Sequence, residues 1–155
     1  MNSKLRTVQD VLRHYLVSLA YRFRHVTAGA PEGFGDFEAG AGVRTPRRLV
    51  RHMTVLITFV HRQFEDLGTE RLEPLDWPEE VERFLAAVAA FDLVLARELP
   101  LRNPELTLEQ LWQGQLIDAM THIGQLASLR RLAGAPIDPV RYWRVEMPAL
   151  NDPPK

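Results

Sequence analysis

The sequence contains no cysteine. Disulfide bonds, thiolate metal ligands and a protein-borne thiol nucleophile are therefore excluded, and a reducing compartment fits. A long apolar run is missing too. The longest unbroken one, Phe84 to Phe91, is far too short to cross a bilayer. The stretch from Met1 to Asp10 is polar and lacks the apolar core of a secretory signal. These absences predict a cytoplasmic protein with no membrane partner. Charge of one sign is also lacking: the formal net charge is −1, so no global field draws the chain to nucleic acid. Finally, no stretch alternates polar and apolar residues convincingly, which leaves no candidate strand.

What is present suits one all-α domain. The chain has 155 residues, 46% of them apolar and 25% charged, enough to bury a sizeable core and too apolar for disorder. Four stretches carry helical periodicity, predicted over about 5–26, 45–67, 78–99 and 107–133. In the first, Leu5, Val8, Val11, Leu12, Tyr15, Leu16, Leu19, Phe23 and Val26 recur at steps of three and four. A glycine-rich connection from Thr27 to Arg44 follows, long for a link between helices. Thr45-Pro46 then reads as a cap followed by proline at the first helical position. The apolar face behind it runs from Leu49 to Leu67, with Gly68 as its expected end. Asp76-Trp77-Pro78 opens the third helix, and Pro100 and Pro104 lie beyond its close. Thr107 with Gln110 forms a capping box for the fourth, which ends at Gly134. The tail 135–155, carrying Tyr142 and Trp143, is expected to pack across the bundle without regular structure. Four amphipathic helices must bury their apolar faces against one another, so a four-helix bundle is the simplest architecture.

The fourth helix holds an anomaly. Leu111, Gln115, Asp118, His122, Gln125 and Leu129 follow one another at steps of three and four, which places them on one strip of a regular helix. Four consecutive members of that strip are polar. A carboxylate there needs a cation or strong donors. Asp118 and His122, one turn apart, make a workable pair of metal ligands, and His52 on the apolar arc of the second helix is a third candidate. A plainer arrangement satisfies the same residues: Asp118 and His122 bond each other across a turn while the glutamines find other polar partners. The remaining histidines differ. His14 lies off its helix's stripe, His25 at a frayed end, and His61 at the edge of a face beside Arg62.

The segment His122-Ile123-Gly124-Gln125-Leu126, with Leu129-Arg130-Arg131-Leu132-Ala133-Gly134-Ala135-Pro136, resembles the last bundle helix of the DinB/YfiT-like superfamily. Members typically read H-x-x-x-H-R-G-Q, then a leucine-arginine stretch closed by G-x-P. The segment from Thr45-Pro46 to His52 is similar to that family's second helix. The resemblance implies a four-helix bundle with a divalent metal held by His52, Asp118 and His122. Asp118 stands where many members carry the first histidine of the pair, and Ile123 replaces the usual arginine. Relatives similar to the mycothiol-dependent maleylpyruvate isomerase place a carboxylate at the first of these positions.

Two imidazoles and a carboxylate leave coordination positions open, as catalytic sites do, and suit zinc, nickel, iron(II) or manganese(II). The resemblance implies a thiol-dependent transferase or isomerase, or a metal-assisted hydrolase. With no cysteine in the chain, the sulfur would arrive on a small-molecule substrate such as a low-molecular-weight thiol. Gln115 and Gln125 are candidates to orient the ligands. The glycine-rich segment, with Asp36 and Glu38, reads either as a lid or as a flexible connector. Arg44, Arg47, Arg48 and Arg51 read as a solvated basic face that can also attract an anionic thiol or acid. A homodimer is expected from the family. The competing function is a metal-free bundle serving as a ligand-binding or protein-interaction module. A di-iron ferritin-like protein is disfavoured because no Glu-x-x-His pair occurs.

Overall fold

The structure, a computed structural model, describes residues 7–150; Leu5 of the expected first helix and residues 151–155 of the tail lie outside the described residues. Among those described there are four long helical elements and no strand. α1 spans Val8–Thr27, α2 Pro46–Arg62 and α3 Trp77–Leu95. α4 is composite: a first turn Leu108–Leu111, a π-turn Trp112–Leu116, and a long α-helical part Ile117–Leu132. No helix among the described residues is long and apolar enough to cross a membrane.

Local chemistry explains the starts and stops. Thr7 and Asp10 close a reciprocal capping box on α1, and Thr107 with Gln110 does the same for α4. Asp76 and Glu79 cap α3, whose first turn also carries Pro78. Gly134, at φ +76°, ends α4 as expected. The Ala135 N–H reaches back to the Arg130 carbonyl at 2.9 Å, closing the wide turn that a left-handed residue permits. α2 stops earlier than its apolar pattern suggests, at Arg62, and Leu67 is exposed in the connector. α3 likewise stops at Leu95, short of Leu99.

The helices pack as a ring. α1 packs on α3 and α4, and α2 packs on α3 and α4, so α1 and α2 face each other across a diagonal. The length of the glycine-rich connection follows from that: it must carry the chain across the end of the bundle. It is anchored on the way. Phe34 is buried and meets Trp77 edge-on at 5.3 Å, and a side chain at Gly35 would collide with Trp77 at 2.6 Å. Arg130 donates to the carbonyls of Val26, Ala28, Gly29 and Ala135 at 2.8–3.2 Å, tying the end of α1 to the end of α4. Burial pushes the Arg130 guanidinium down from its usual range.

The core is apolar and interleaved, with Phe23 against Phe84 at 4.2 Å near its centre. Buried charges have partners: Asp92 accepts from Arg13 at 2.9 and 3.2 Å, and Glu80 accepts from the Leu75 N–H and from Arg83. Val8 and Val11, expected on the buried stripe of α1, are exposed. In the tail, Tyr142 belongs to a short 3-10 turn, Tyr142–Arg144, and lies under the Arg22 guanidinium at 3.7 Å. Trp143 points out to solvent.

Candidate metal centre

The π-turn sets the phase of α4. A π-turn adds a residue to one turn, so positions before it no longer share the face of those after it. Leu111 and Leu116, five apart, are both buried. Leu111 is therefore out of step with the downstream stripe, while Gln115 lines a surface cavity with Asp118 and Thr121 but makes no hydrogen bond among the described residues. Tyr15 of α1 anchors the turn: its hydroxyl donates to the Leu116 carbonyl, and its ring lies 5.1 Å from Trp112. Burial pushes the Tyr15 hydroxyl well above its ordinary value, which keeps it a donor.

Beyond the turn, Asp118 and His122 stand one above the other and face His52 of α2. The side chains are 47%, 6% and 30% exposed respectively, so the site opens to solvent on the Asp118 side. Asp118 Oδ2 lies 3.4 Å from His122 Nε2 and 3.7 Å from His52 Nε2. All three ligand atoms fall within 4.8 Å of one another. The two imidazole rings meet edge-to-face at 5.0 Å between centroids.

These distances bear on the two arrangements open from sequence. A nitrogen–carboxylate hydrogen bond spans roughly 2.7–3.2 Å, shorter than either separation. Two ligand atoms each about 2.1 Å from one ion, at a tetrahedral angle, stand about 3.4 Å apart. Length alone does not decide, since His61 and Glu65 hydrogen-bond at 3.4 Å, but His122 Nε2 makes no hydrogen bond to Asp118 at that distance, and the pair stands at the spacing of shared coordination. The lone pairs point the same way. His122 Nδ1 lies 2.9 Å from Gln125 Oε1; with the amide oriented so, the oxygen accepts, Nδ1 carries the proton and Nε2 keeps its lone pair. That Nε2 is buried and has no hydrogen-bond partner. A buried polar atom without a partner costs about 1–3 kcal/mol, and an ion between the three residues removes the deficit.

Supporting contacts complete the site. Thr121 donates to the Asp118 carbonyl at 2.7 Å and approaches Asp118 Oδ1 at 3.4 Å, which leaves Oδ2 toward the imidazoles. Of the two glutamines singled out in the sequence, Gln125 bonds one of the three residues, His122, and Gln115 bonds none of them. Burial first, then the positive Arg44 and the neighbouring His122, hold the His52 imidazole below its usual range, with Asp118 opposing them. A neutral imidazole is the form that binds a metal.

The glycine-rich connection ends beside this centre. Its turn Gly40-Ala41-Gly42 runs through the left-handed region at φ +82°, +50° and +73°, a conformation that alanine adopts only under constraint. Ala39, Gly42 and Val43 thereby form one wall of an open cavity of about 900 Å³. Asp36 instead pairs with Arg47 at 2.6 Å. His61, expected at the edge of a face, is buried against Phe91 with its ring stacked at 5.7 Å. The periodicity of α2 contains that position, but only α3 shows what covers it. In comparisons with known proteins, no family model, no curated protein and no solved structure matches this chain.

Proposed function

We propose that this protein is a divalent-metal-dependent enzyme of the DinB/YfiT-like kind, acting on a small molecule at an ion held by His52, Asp118 and His122. The observation that carries the reading is the buried, unpartnered Nε2 of His122, facing Asp118 at coordination spacing, with His52 completing a group whose ligand atoms lie within 4.8 Å of one another. Zinc, nickel, iron(II) and manganese(II) all suit two imidazoles and a carboxylate. An ion held by these three residues would supply Lewis acidity with coordination positions left open to a small molecule. The chain's own residues do the rest. Gln125 fixes the tautomer and direction of His122, Thr121 holds Asp118, and the half-exposed carboxylate marks the side from which a small molecule enters. The resemblance of α2 and α4 to the DinB/YfiT-like motifs favours thiol transfer or isomerisation over hydrolysis. The same reading includes a cytoplasmic location and a homodimer.

Metal analysis of tag-free protein tests it, with an expected content of about one divalent ion per chain. Saturation at 100 times Kd adds about 2.7 kcal/mol of stability, or about 5–10 °C in Tm for a chain of this length. His122→Ala loses both the ion and the shift. Full occupancy in that variant, or a Tm indifferent to divalent ions in the unaltered protein, overturns the reading in favour of a metal-free binding module.

A further inference from the structure

We infer that the cavity beside the metal centre is an anion site, and that the substrate is a small carboxylic acid held by Arg44 and Arg48. As a statement about substrate this rests on the metal-dependent reading; as a statement about anion binding it stands alone.

The argument begins with the basic cluster at the start of α2, whose members fall into distinct settings. Arg47 pairs with Asp36 at 2.6 Å and with Asp76 at 3.5 Å. Arg44 and Arg48 have no ion pair or hydrogen bond among the described residues, and both line the cavity. No carboxylate lines it with them. Two arginines on one concave surface without a counter-charge repel each other and attract an anion, and a guanidinium presents the planar fork that a carboxylate fits.

The cavity is joined to the ligands on both sides. Arg48 stands one helical turn before His52, so the two side chains lie on one face of α2. On the opposite wall stand Thr121 and Gln125, the residues that bond Asp118 and His122. Leu49 and Leu129 add apolar surface between the walls. A molecule with its carboxylate on the arginines and its apolar body on the leucines lies against the residues that hold the metal ligands.

The test uses a matched pair of probes, 3-phenylpropionate and its neutral amide, titrated calorimetrically into the full chain with and without zinc. In the metal-free protein, where no ion can bind the carboxylate directly, the acid is expected to bind about tenfold tighter than the amide. Arg44→Gln/Arg48→Gln abolishes that preference and leaves the chain able to take up zinc. Both arginines are exposed, and a melting curve superimposing on that of the unaltered protein verifies the fold. Equal binding of acid and amide, or a preference that survives in the double variant, overturns the proposal. Zinc titration of the same samples keeps the two readings apart. Acid preference without zinc uptake sinks the enzyme and preserves the anion site. Zinc uptake without acid preference does the reverse.

Discussion

α2 carries two histidines that meet carboxylates, one toward each end, and they differ in what satisfies them. Toward its C-terminus, His61 is buried against Phe91, lies 3.4 Å from Glu65, and Glu65 is bonded by Arg97. Arg97 holds the Glu65 carboxyl below the usual carboxylate range. That cluster is closed: Glu65 has Arg97 as a resident counter-charge, and His61 leaves no buried ring nitrogen without a hydrogen-bond partner. Nearer the N-terminus, Asp118 faces His52 and His122 with no lysine or arginine in ion-pair range among the described residues. There a buried nitrogen keeps a free lone pair. A histidine–carboxylate pair is thus no metal signature in itself. What marks one is the missing cation.

The comparison can be broken most sharply by removing a ligand. His122→Ala is expected to weaken zinc binding by more than about 100-fold, since even a residue that only supports a ligand is worth about 10–100-fold. His61→Ala should leave zinc binding untouched, as read by competition with a chromogenic chelator. Gln125→Leu comes next: it frees the His122 ring without removing it, and about a 10–100-fold loss of affinity is expected. Zinc affinity equal to that of the unaltered protein would show that the bond to Gln125 does not direct Nε2.

A smaller and opposite pair of effects concerns the carboxylates in metal-free protein. Asp118→Asn removes a charge that has no counter-charge in contact, so the melting temperature is expected to hold or rise slightly. Glu65→Gln removes the partner of both Arg97 and His61, so it should fall. Equal losses would place the two sites in the same class. The smallest effect is in pH. Burial holds the His61 imidazole below its ordinary value of 6.5, with Glu65 opposing. Between the folded and unfolded pKa values the unfolded chain binds more protons, so stability rises with pH through that window. Stability is therefore complete above about pH 6.5 and declines as pH falls toward the folded value. His61→Phe should flatten that part of a melting-temperature profile measured without metal.

Much of this was legible in order and type. Thr45-Pro46, Asp76-Trp77-Pro78 and the Thr107–Gln110 box announce helix starts because their chemistry spans only a few residues, whereas the Thr7–Asp10 box that starts α1 at Val8 lies inside a periodicity read from Leu5. Gly134 announces an end for the same local reason. Helix ends governed by packing were less legible: α2 stops at Arg62 although Leu67 prolongs its apolar pattern, because the next segment turns away toward α3. At the site, His52, Asp118 and His122 could be singled out by residue type and by one turn of spacing. Gln115 could not be told from Gln125, since residue type and spacing are alike and only the folded contacts differ: Gln125 bonds His122, and Gln115 bonds nothing among the described residues.

What the amino-acid order determined by itself, then, is the set of local structures, four helices with their caps and the turn that brings Asp118 beside His122. Those follow from interactions spanning a few residues, which the sequence states directly. Only the tertiary structure decided that α1 and α2 lie on a diagonal, that His52 meets the α4 pair while His61 is enclosed by α3, and that two unpaired arginines line a cavity next to them. Each of these depends on side chains dozens of positions apart. Their separation is set by how whole helices pack, and no local pattern encodes it.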